Sequence, residues 1–249
     1  MPDIVTTLRE AGCVFAEDEA RLLTEAATGP DDLARLVERR VAGIPLEQLV
    51  GWAEFCGLRI VVEPGVFVPR RRTELLVREA AARRPRTVVE LCCGSGAIGA
   101  ALTALLGAPD VHAADIDPAA VRCARRNLPS AHVYEGDLDA PLPPRLAGAV
   151  DVLVANAPYV PTDEIALMPP EARDHEPRVA LDGGADGLDL ARRVVAAAPR
   201  WLAPAGVVIV ETSRRQAPEL AAAASRAGLV PATVSDEETG GTAIVASRP

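Results

Sequence analysis

The amino-acid sequence predicts an α/β fold, in which a mainly parallel seven-stranded sheet is covered by helices and preceded by a small helical lobe. Short apolar runs alternate with Ala-rich helical segments from residue 87 onward, the pattern of parallel strands joined by crossover helices. Apolar residues make up 49% of the chain and aromatic residues only 3%, so Ala, Val and Leu must build the core. Side chains of this size suit helices packed on a buried sheet.

The N-terminal part of the chain predicts two small units before the main domain. Residues 1–43 place apolar residues among charges at helical spacing, with a break at Gly29-Pro30 and Asp31 as an N-cap, which predicts a lobe of short amphipathic helices. Residues 44–69 are β-branched and aromatic, punctuated by Gly and Pro-Gly, which predicts a linking β-hairpin segment. The main domain then spans residues 70–249 and begins with a helix at about 73–84.

Seven apolar runs in the main domain predict strands, and four helical segments lie between them. The last two runs are joined by a polar segment at 235–242, which is too short for a crossover helix and predicts an antiparallel last strand. The predicted strands are 87–91, 111–115, 131–134, 150–155, 207–211, 229–234 and 243–246, and the predicted helices are 98–106, 118–127, 188–202 and 217–227.

Charge argues against nucleic acid as a stable partner. The formal net charge is -9, whereas affinity for a phosphate backbone comes largely from Lys and Arg. Arginines do cluster at 70–72 and 83–86, and the simpler interpretation of these clusters is a solvated helix face.

Cysteine usage and hydropathy set the compartment that we expect. The five cysteines form no CxxC pair and no Cys/His array, so the sequence predicts reduced thiols and no metal site. No run approaches the roughly 20 apolar residues of a membrane span, and the first twenty residues carry charges without an apolar stretch, so we expect no leader there. We therefore expect a soluble, unprocessed, cytoplasmic monomer.

A glycine-bearing turn after the first predicted strand indicates a ligand crevice. The strand runs into Cys92-Cys93-Gly94-Ser95-Gly96 and then into a helix, and Gly94 and Gly96 allow a ligand to approach the backbone closely. By itself this turn is a weak signal, and a plain tight turn is the alternative. The ends of the second and third predicted strands give further support for a ligand crevice.

Acidic residues end the second and third strands, where a nucleoside would lie. Asp115 is placed to accept two ribose hydroxyl hydrogen bonds, whereas Asp117 precedes Pro118 and fits an N-cap. Asp137 follows the third strand at the expected position of an adenine amino group.

The turn distinguishes between two nucleoside cofactors. It lacks the full GxGxxG spacing that seats a pyrophosphate, and Glu90 beside it suits a positively charged ligand. We therefore expect S-adenosylmethionine, with S-adenosylhomocysteine as the product. The predicted cofactor residues are Glu90, Cys92, Cys93, Gly94, Ser95, Gly96, Asp115, Ile116, Asp137, Leu138 and Asn156.

The fourth strand leads into Asn156-Ala157-Pro158-Tyr159, which indicates methyl transfer to a planar nitrogen. The Asn156 side-chain oxygen and the Ala157 carbonyl can each accept one N–H of an amide and turn its nitrogen toward the methyl group. Tyr159 can stack on the planar group and exclude water. Such catalysis rests on orientation and fixed dipoles and needs no strong general base. An ordinary turn after a strand is the alternative.

Several further segments carry a resemblance to a known family. These are Pro45 to Gly51, Val68-Pro69-Arg70 followed by Thr73-Glu74, Glu176-Pro177-Arg178, Gly183 to Leu188, and Glu211-Thr212 with Gln216. Together with the Asn-Ala-Pro-Tyr loop, over about residues 44–249, they resemble the release-factor glutamine methyltransferases.

The resemblance implies a class I S-adenosylmethionine-dependent methyltransferase with a Rossmann-like fold. Its substrate would be a protein, a peptide-chain release factor methylated on the glutamine of its Gly-Gly-Gln loop. The residues implied to bind substrate are Asn156, Ala157, Pro158, Tyr159, Arg70 and Glu176.

Four features depart from the family pattern. Ala157 stands for the first Pro of the loop, Cys92 for the first Gly of the turn, Leu138 for a Trp, and Arg70-Arg71-Arg72 for an Arg-Pro-acid run. Other acceptors therefore stay open, namely another protein or small-molecule amide, or an adenine amine in nucleic acid. A non-catalytic binding module is the non-enzymatic alternative.

Overall fold

The computed structural model describes residues 3–249 and confirms the predicted α/β fold. Ten α-helices and nine strands are described. The helices are α1 Ile4–Glu10, α2 Ala16–Ala26, α3 Pro30–Val41, α4 Leu46–Val50, α5 Glu74–Ala81, α6 Ala97–Leu106, α7 Pro118–Asn127, α8 Pro170–His175, α9 Asp189–Trp201 and α10 Ala217–Arg226. The strands are β1 Trp52–Phe55, β2 Leu58–Val61, β3 Thr87–Leu91, β4 Asp110–Asp115, β5 His132–Glu135, β6 Val150–Ala155, β7 Leu202–Glu211, β8 Val230–Ser235 and β9 Thr242–Ser247.

Seven strands form one sheet in the order β5-β4-β3-β6-β7-β9-β8. Strands β3 to β7 pair in parallel, whereas β9 is antiparallel to both of its neighbours. The antiparallel last strand is therefore confirmed, and it lies between β7 and β8 rather than at the edge of the sheet. Because β3 and β6 are adjacent and their crossovers leave in opposite directions, a crevice opens at their carboxyl ends.

Apolar side chains of the central strands point alternately to two helical layers. Val89 and Leu91 of β3 pack in one core cluster with α9 and α10, whereas Val88 packs in a second cluster with α5 and α6. Both faces of the sheet are thus covered, as the short aliphatic runs predict. This burial fixes the strand ends that carry the site.

The N-terminal helices pack around a small core of their own. Leu8, Leu23 and Leu36 are buried there, and α4 closes the cluster. Two local predictions were wrong. The segment at 46–50 is a short helix and not a strand, and Asp31 lies inside the first turn of α3, whose N-cap is Gly29.

The hairpin of β1 and β2 connects the lobe to the main domain. Asn127 at the end of α7 exchanges two hydrogen bonds with the Val61 backbone, each 2.9 Å, and also donates to the Ser95 carbonyl at 2.8 Å. The hairpin is therefore attached directly to the glycine turn. Within residues 3–249, no helix is long and apolar enough to cross a membrane.

Candidate active site

One crevice of about 270 Å³ contains both sets of predicted site residues. It lies at the carboxyl ends of β3, β4 and β6, so the glycine turn and the Asn-Ala-Pro-Tyr loop face the same space. Predicted residues lining it are Arg70, Glu90, Cys92, Cys93, Gly94, Ser95, Asp115, Ile116, Asp137, Leu138, Asn156, Ala157, Pro158, Tyr159 and Glu176. Gly96 is the predicted site residue that does not line it.

The two glycines of the turn have different roles. Gly94 has φ +54°, and a Cβ built there would meet nothing within 4 Å, so its backbone borders open space in the crevice. Gly96 has φ +75°, and its Cβ would lie 2.7 Å from Leu128. Gly96 therefore leaves room for the Leu128 side chain, and its contact with a cofactor stays a prediction. Cys92 has φ +54°, in the region that favours glycine.

Asp115 is fixed by the backbone of two loops. Its carboxylate accepts from Gly94 N at 2.8 Å and from Asp117 N at 2.9 Å. Burial raises the pKa of Asp115, and these backbone hydrogen bonds partly offset that effect. The remaining lone pairs can accept ribose hydroxyls. Asp117 caps α7 through Ala119 N at 2.8 Å, which confirms the predicted N-cap.

Glu90 is buried below the crevice and faces the start of α6. Its Oε2 accepts from Gly99 N at 2.8 Å, and a Cβ at Gly99 would lie 2.8 Å from that oxygen. Burial raises the pKa of Glu90 to about 8, despite the helix N–H groups that favour the carboxylate. A cationic ligand above it would favour the ionised form.

The end of the crevice after β5 combines an ion pair with an apolar side chain. Asp137 pairs with Arg193 of α9 at 2.7 Å, and both side chains line the opening. Leu138 is buried beside them with φ +49°. This region therefore offers an apolar surface at Leu138, bordered by the ion pair of Asp137 and Arg193.

Asn156 is oriented by a side chain from the segment before α5. Its Nδ2 donates to Thr73 Oγ1 at 3.3 Å, and Thr73 is buried. Within residues 3–249, no donor is bonded to Asn156 Oδ1. The carboxamide therefore offers its oxygen as an acceptor to a group in the crevice.

Tyr159 is held by partners on both sides. Its hydroxyl donates to Glu211 Oε1 at 3.4 Å, and Arg72 pairs with the same carboxylate at 3.1 Å. Burial raises the pKa of Tyr159 to about 12, and the negative charge of Glu211 adds to this. Gln216 Nε2 donates to the carbonyls of Tyr159 and Asp186, both at 2.9 Å. The loop is thus fixed at its backbone as well as its ring.

Glu176 closes the other side of the crevice. Its side chain is fully buried, and Oε1 accepts from Val68 N at 3.1 Å and Arg70 Nη2 at 2.6 Å. Burial raises the pKa of Glu176, and the charge of Arg70 opposes this. Oε2 has no partner within the described chain.

Sequence reasoning did not select several residues that complete the site. Arg193 and Phe67 line the crevice, and Gln216 braces the loop. Thr73 and Gln216 stand in the segments quoted for the resemblance, but nothing local in the sequence indicates which side chains they contact.

Comparisons with known proteins agree with this geometry. The Methyltransferase small domain family matches residues 57–168. A release factor glutamine methyltransferase of Geobacter sulfurreducens is 38% identical over 97% of this chain and 92% of its own length. A 4-amino-L-phenylalanine/4-methylamino-L-phenylalanine methyltransferase of Streptomyces pristinaespiralis is 39% identical over 70% of this chain and 63% of its own.

Methyltransferases are also found among the solved structures that resemble this fold. A methyltransferase from Pyrococcus furiosus superposes with a TM-score of 0.62 at 16% identity, covering 85% of this chain and 98% of that one. At this identity the likeness establishes the α/β methyltransferase fold.

Proposed function

This chain belongs to the release factor glutamine methyltransferase family, whose members are S-adenosylmethionine-dependent, and we propose that its own acceptor is the Gly-Gly-Gln glutamine of a release factor. The observation that carries the proposal is the single crevice that joins the glycine turn to the Asn-Ala-Pro-Tyr loop. Because release factors act on ribosomes, the proposed enzyme works in the cytoplasm. Its net charge of -9 argues against stable binding to nucleic acid.

The residues present fit S-adenosylmethionine. Gly94 leaves open space beside its backbone, Asp115 presents a fixed carboxylate, and Leu138 gives an apolar face. Bound there, the cofactor supplies an electrophilic methyl group. No phosphate-binding arrangement is needed for it, which agrees with the acidic Glu90.

The Asn-Ala-Pro-Tyr loop orients the acceptor nitrogen. Asn156 Oδ1 and the Ala157 carbonyl accept its two N–H groups, so the nitrogen lone pair is turned toward the methyl group. Thr73 accepts a hydrogen bond from Asn156 Nδ2, and in this orientation of the carboxamide Oδ1 faces the acceptor nitrogen. Tyr159 covers the planar amide and excludes water. Alignment of this kind lowers the barrier by several kcal/mol.

A small aromatic amine is the second candidate acceptor. The Streptomyces pristinaespiralis relative carries a name that describes methylation of an amino-phenylalanine. An aromatic amine is also planar and offers two N–H groups to the same pair of acceptors. Ala157 supports this candidate, since Ala leaves Asn156 without the restriction that a following Pro imposes.

Methylation of a purified release factor tests the proposal. The protein is incubated with methyl-labelled S-adenosylmethionine and full-length release factor, with 4-amino-L-phenylalanine in a parallel reaction, and the products are located by mass spectrometry. We expect one methyl group on the Gly-Gly-Gln glutamine. Label on the amino acid alone would favour the second candidate, and no label on either would contradict the proposal.

An Asn156→Ala variant tests the role of the loop in the same assay. Loss of one fixed acceptor should lower kcat by about 10²–10³-fold, while cofactor affinity stays near that of the unchanged protein. Calorimetry with S-adenosylmethionine provides that control. Near-normal turnover in the variant would contradict the role assigned to Asn156.

A further inference from the structure

Three side chains on the β4–β5 edge of the sheet form a cluster that methyl transfer does not use. Asp110 and His112 are two residues apart on β4, and His132 lies opposite His112 in the register of β5. One ligand atom from each lies within 4.8 Å of the others. Because alternate residues of a strand share a face, all three side chains point the same way.

We propose that Asp110, His112 and His132 bind a divalent transition metal such as Zn²⁺. Two imidazoles and a carboxylate are a ligand set that zinc prefers, and three protein ligands leave one position for water. Two ligand atoms on one tetrahedral zinc lie about 3.4 Å apart, given metal–ligand bonds near 2.1 Å. His112 Nε2 is 3.2 Å from Asp110 Oδ2, and His132 Nε2 is 4.0 Å from Asp110 Oδ1.

A buried nitrogen without a hydrogen-bond partner points into this cluster. His112 is fully buried, and its Nε2 has no partner with hydrogen-bond geometry within residues 3–249. Its other nitrogen, Nδ1, lies 2.9 Å from the Tyr134 hydroxyl. If Nδ1–H donates to that hydroxyl, the Nε2 lone pair faces the cluster, which is the tautomer that a metal requires.

A simple ion pair between His112 and Asp110 explains the cluster less well. The distance is short enough, but the contact lacks hydrogen-bond geometry.

His132 and Asp110 have to rotate to complete the coordination. The His112 and His132 rings are stacked, with centroids 4.8 Å apart and planes 17° apart, so one ion cannot yet lie in both ring planes. The side chains of His132 and Asp110 are each 54% exposed, so they can rotate at little packing cost. A bound ion would hold the edge strand β5 to β4.

The site would be structural rather than catalytic. Asp115 ends β4 three residues after His112, so about 10 Å of strand separates the cluster from the cofactor crevice. The sequence does not reveal the cluster, because Asp110 and His112 are separated from His132 by a helix and their spacing matches no Cys/His metal-binding motif.

Histidine NMR on the untagged protein tests the site, because the chain has only 3 histidines. Nitrogen-15 spectra are recorded during a Zn²⁺ titration. We expect Nε2 of His112 and His132 to shift together at one equivalent, while His175 in α8 stays unchanged and serves as the internal control. Saturation with zinc that leaves the His112 and His132 signals in place would overturn the proposal.

Variants give a second readout. Thermal unfolding should show a zinc-dependent rise in Tm that His132→Ala removes and His175→Ala keeps. Tyr134→Phe should weaken zinc binding by about 10-fold, because it removes the group that orients His112. Equal zinc affinity in His132→Ala and the unchanged protein would assign binding to the cysteines and refute the site.

Discussion

Replacing Glu90 by Gln should change how stability depends on pH in the cofactor-free protein. Burial raises the pKa of Glu90 from its ordinary value of 4.5 to about 8. Between these values the folded protein retains a proton that the unfolded chain releases. Stability is therefore fully present below about pH 4.5 and falls as the pH rises toward 8.

The size of this effect follows from the shift. Each pKa unit corresponds to about 1.4 kcal/mol, so the complete titration destabilises the folded protein by about 5 kcal/mol, of which about 3 kcal/mol is lost by pH 7. Glu90→Gln has no such proton to lose, and its carbonyl can still accept from Gly99 N. The variant should therefore gain stability relative to the unchanged protein as the pH rises.

Urea unfolding at pH 5, 7 and 9 measures this difference. We expect nearly equal free energies of unfolding at pH 5 and a difference of a few kcal/mol in favour of Glu90→Gln at pH 9. Glu54→Gln, at an exposed position on β1, removes a carboxylate without burial and serves as the control. Parallel pH profiles for Glu90→Gln and the unchanged protein would refute the reasoning.

Three further substitutions test the cofactor and acceptor ends of the crevice. Asp115→Ala should weaken S-adenosylmethionine binding by at least about 10-fold in calorimetry, since hydrogen bonds to a carboxylate are lost; an unchanged Kd would count against the ribose assignment. Thr73→Val should lower kcat by about 10-fold without changing cofactor affinity, because Asn156 loses its anchor, and Thr73→Ser should restore it; equal loss in both variants would point to packing instead. Cys92→Gly should change the free energy of unfolding by less than about 1 kcal/mol, because the strain of the left-handed backbone is removed while the unfolded chain gains conformational entropy. Cys92→Val should destabilise the protein clearly in urea unfolding, because a β-branched side chain fits this backbone conformation poorly.

Local signals in the sequence were enough to predict the elements that build the site. The strands at 87–91 and 150–155 match β3 and β6 in full, because a strand buried on both faces reads as a mostly apolar run, here interrupted only by Glu90 and by Asp151. The N-cap at Asp117 is equally local, since it depends on one side chain and the next two residues.

The ends of helices and strands that tertiary contacts determine were harder to predict from the sequence. The helix predicted to reach residue 202 ends at Trp201, and β7 begins at once at Leu202, five residues before the predicted strand. The helix predicted at 73–84 ends at Ala81. Pro204 and Pro85 lie three and four residues beyond the two helix ends and do not mark them, so pairing with β6 and the turn before β3 decide these ends.

Contacts between distant segments could not be predicted from the sequence. Arg70 and Glu176 were both predicted to bind substrate, yet nothing in the sequence shows that they pair across 106 residues. The same holds for Thr73 with Asn156, which are 83 residues apart. These pairs depend on the fold bringing the segment before α5 beside the loops after β6.

A buried arginine gives the small lobe a fixed position relative to the active site. Arg40 of α3 pairs with Glu19 of α2 at 2.6 Å and with Glu171 of α8 at 3.3 Å. Since α8 lies in the chain just before Glu176, the lobe and the crevice wall are joined by one guanidinium that salt screens weakly. A macromolecule bound to the lobe would therefore lie at a constant distance from the crevice. Only a loop long enough to span that distance could place its side chain beside Asn156.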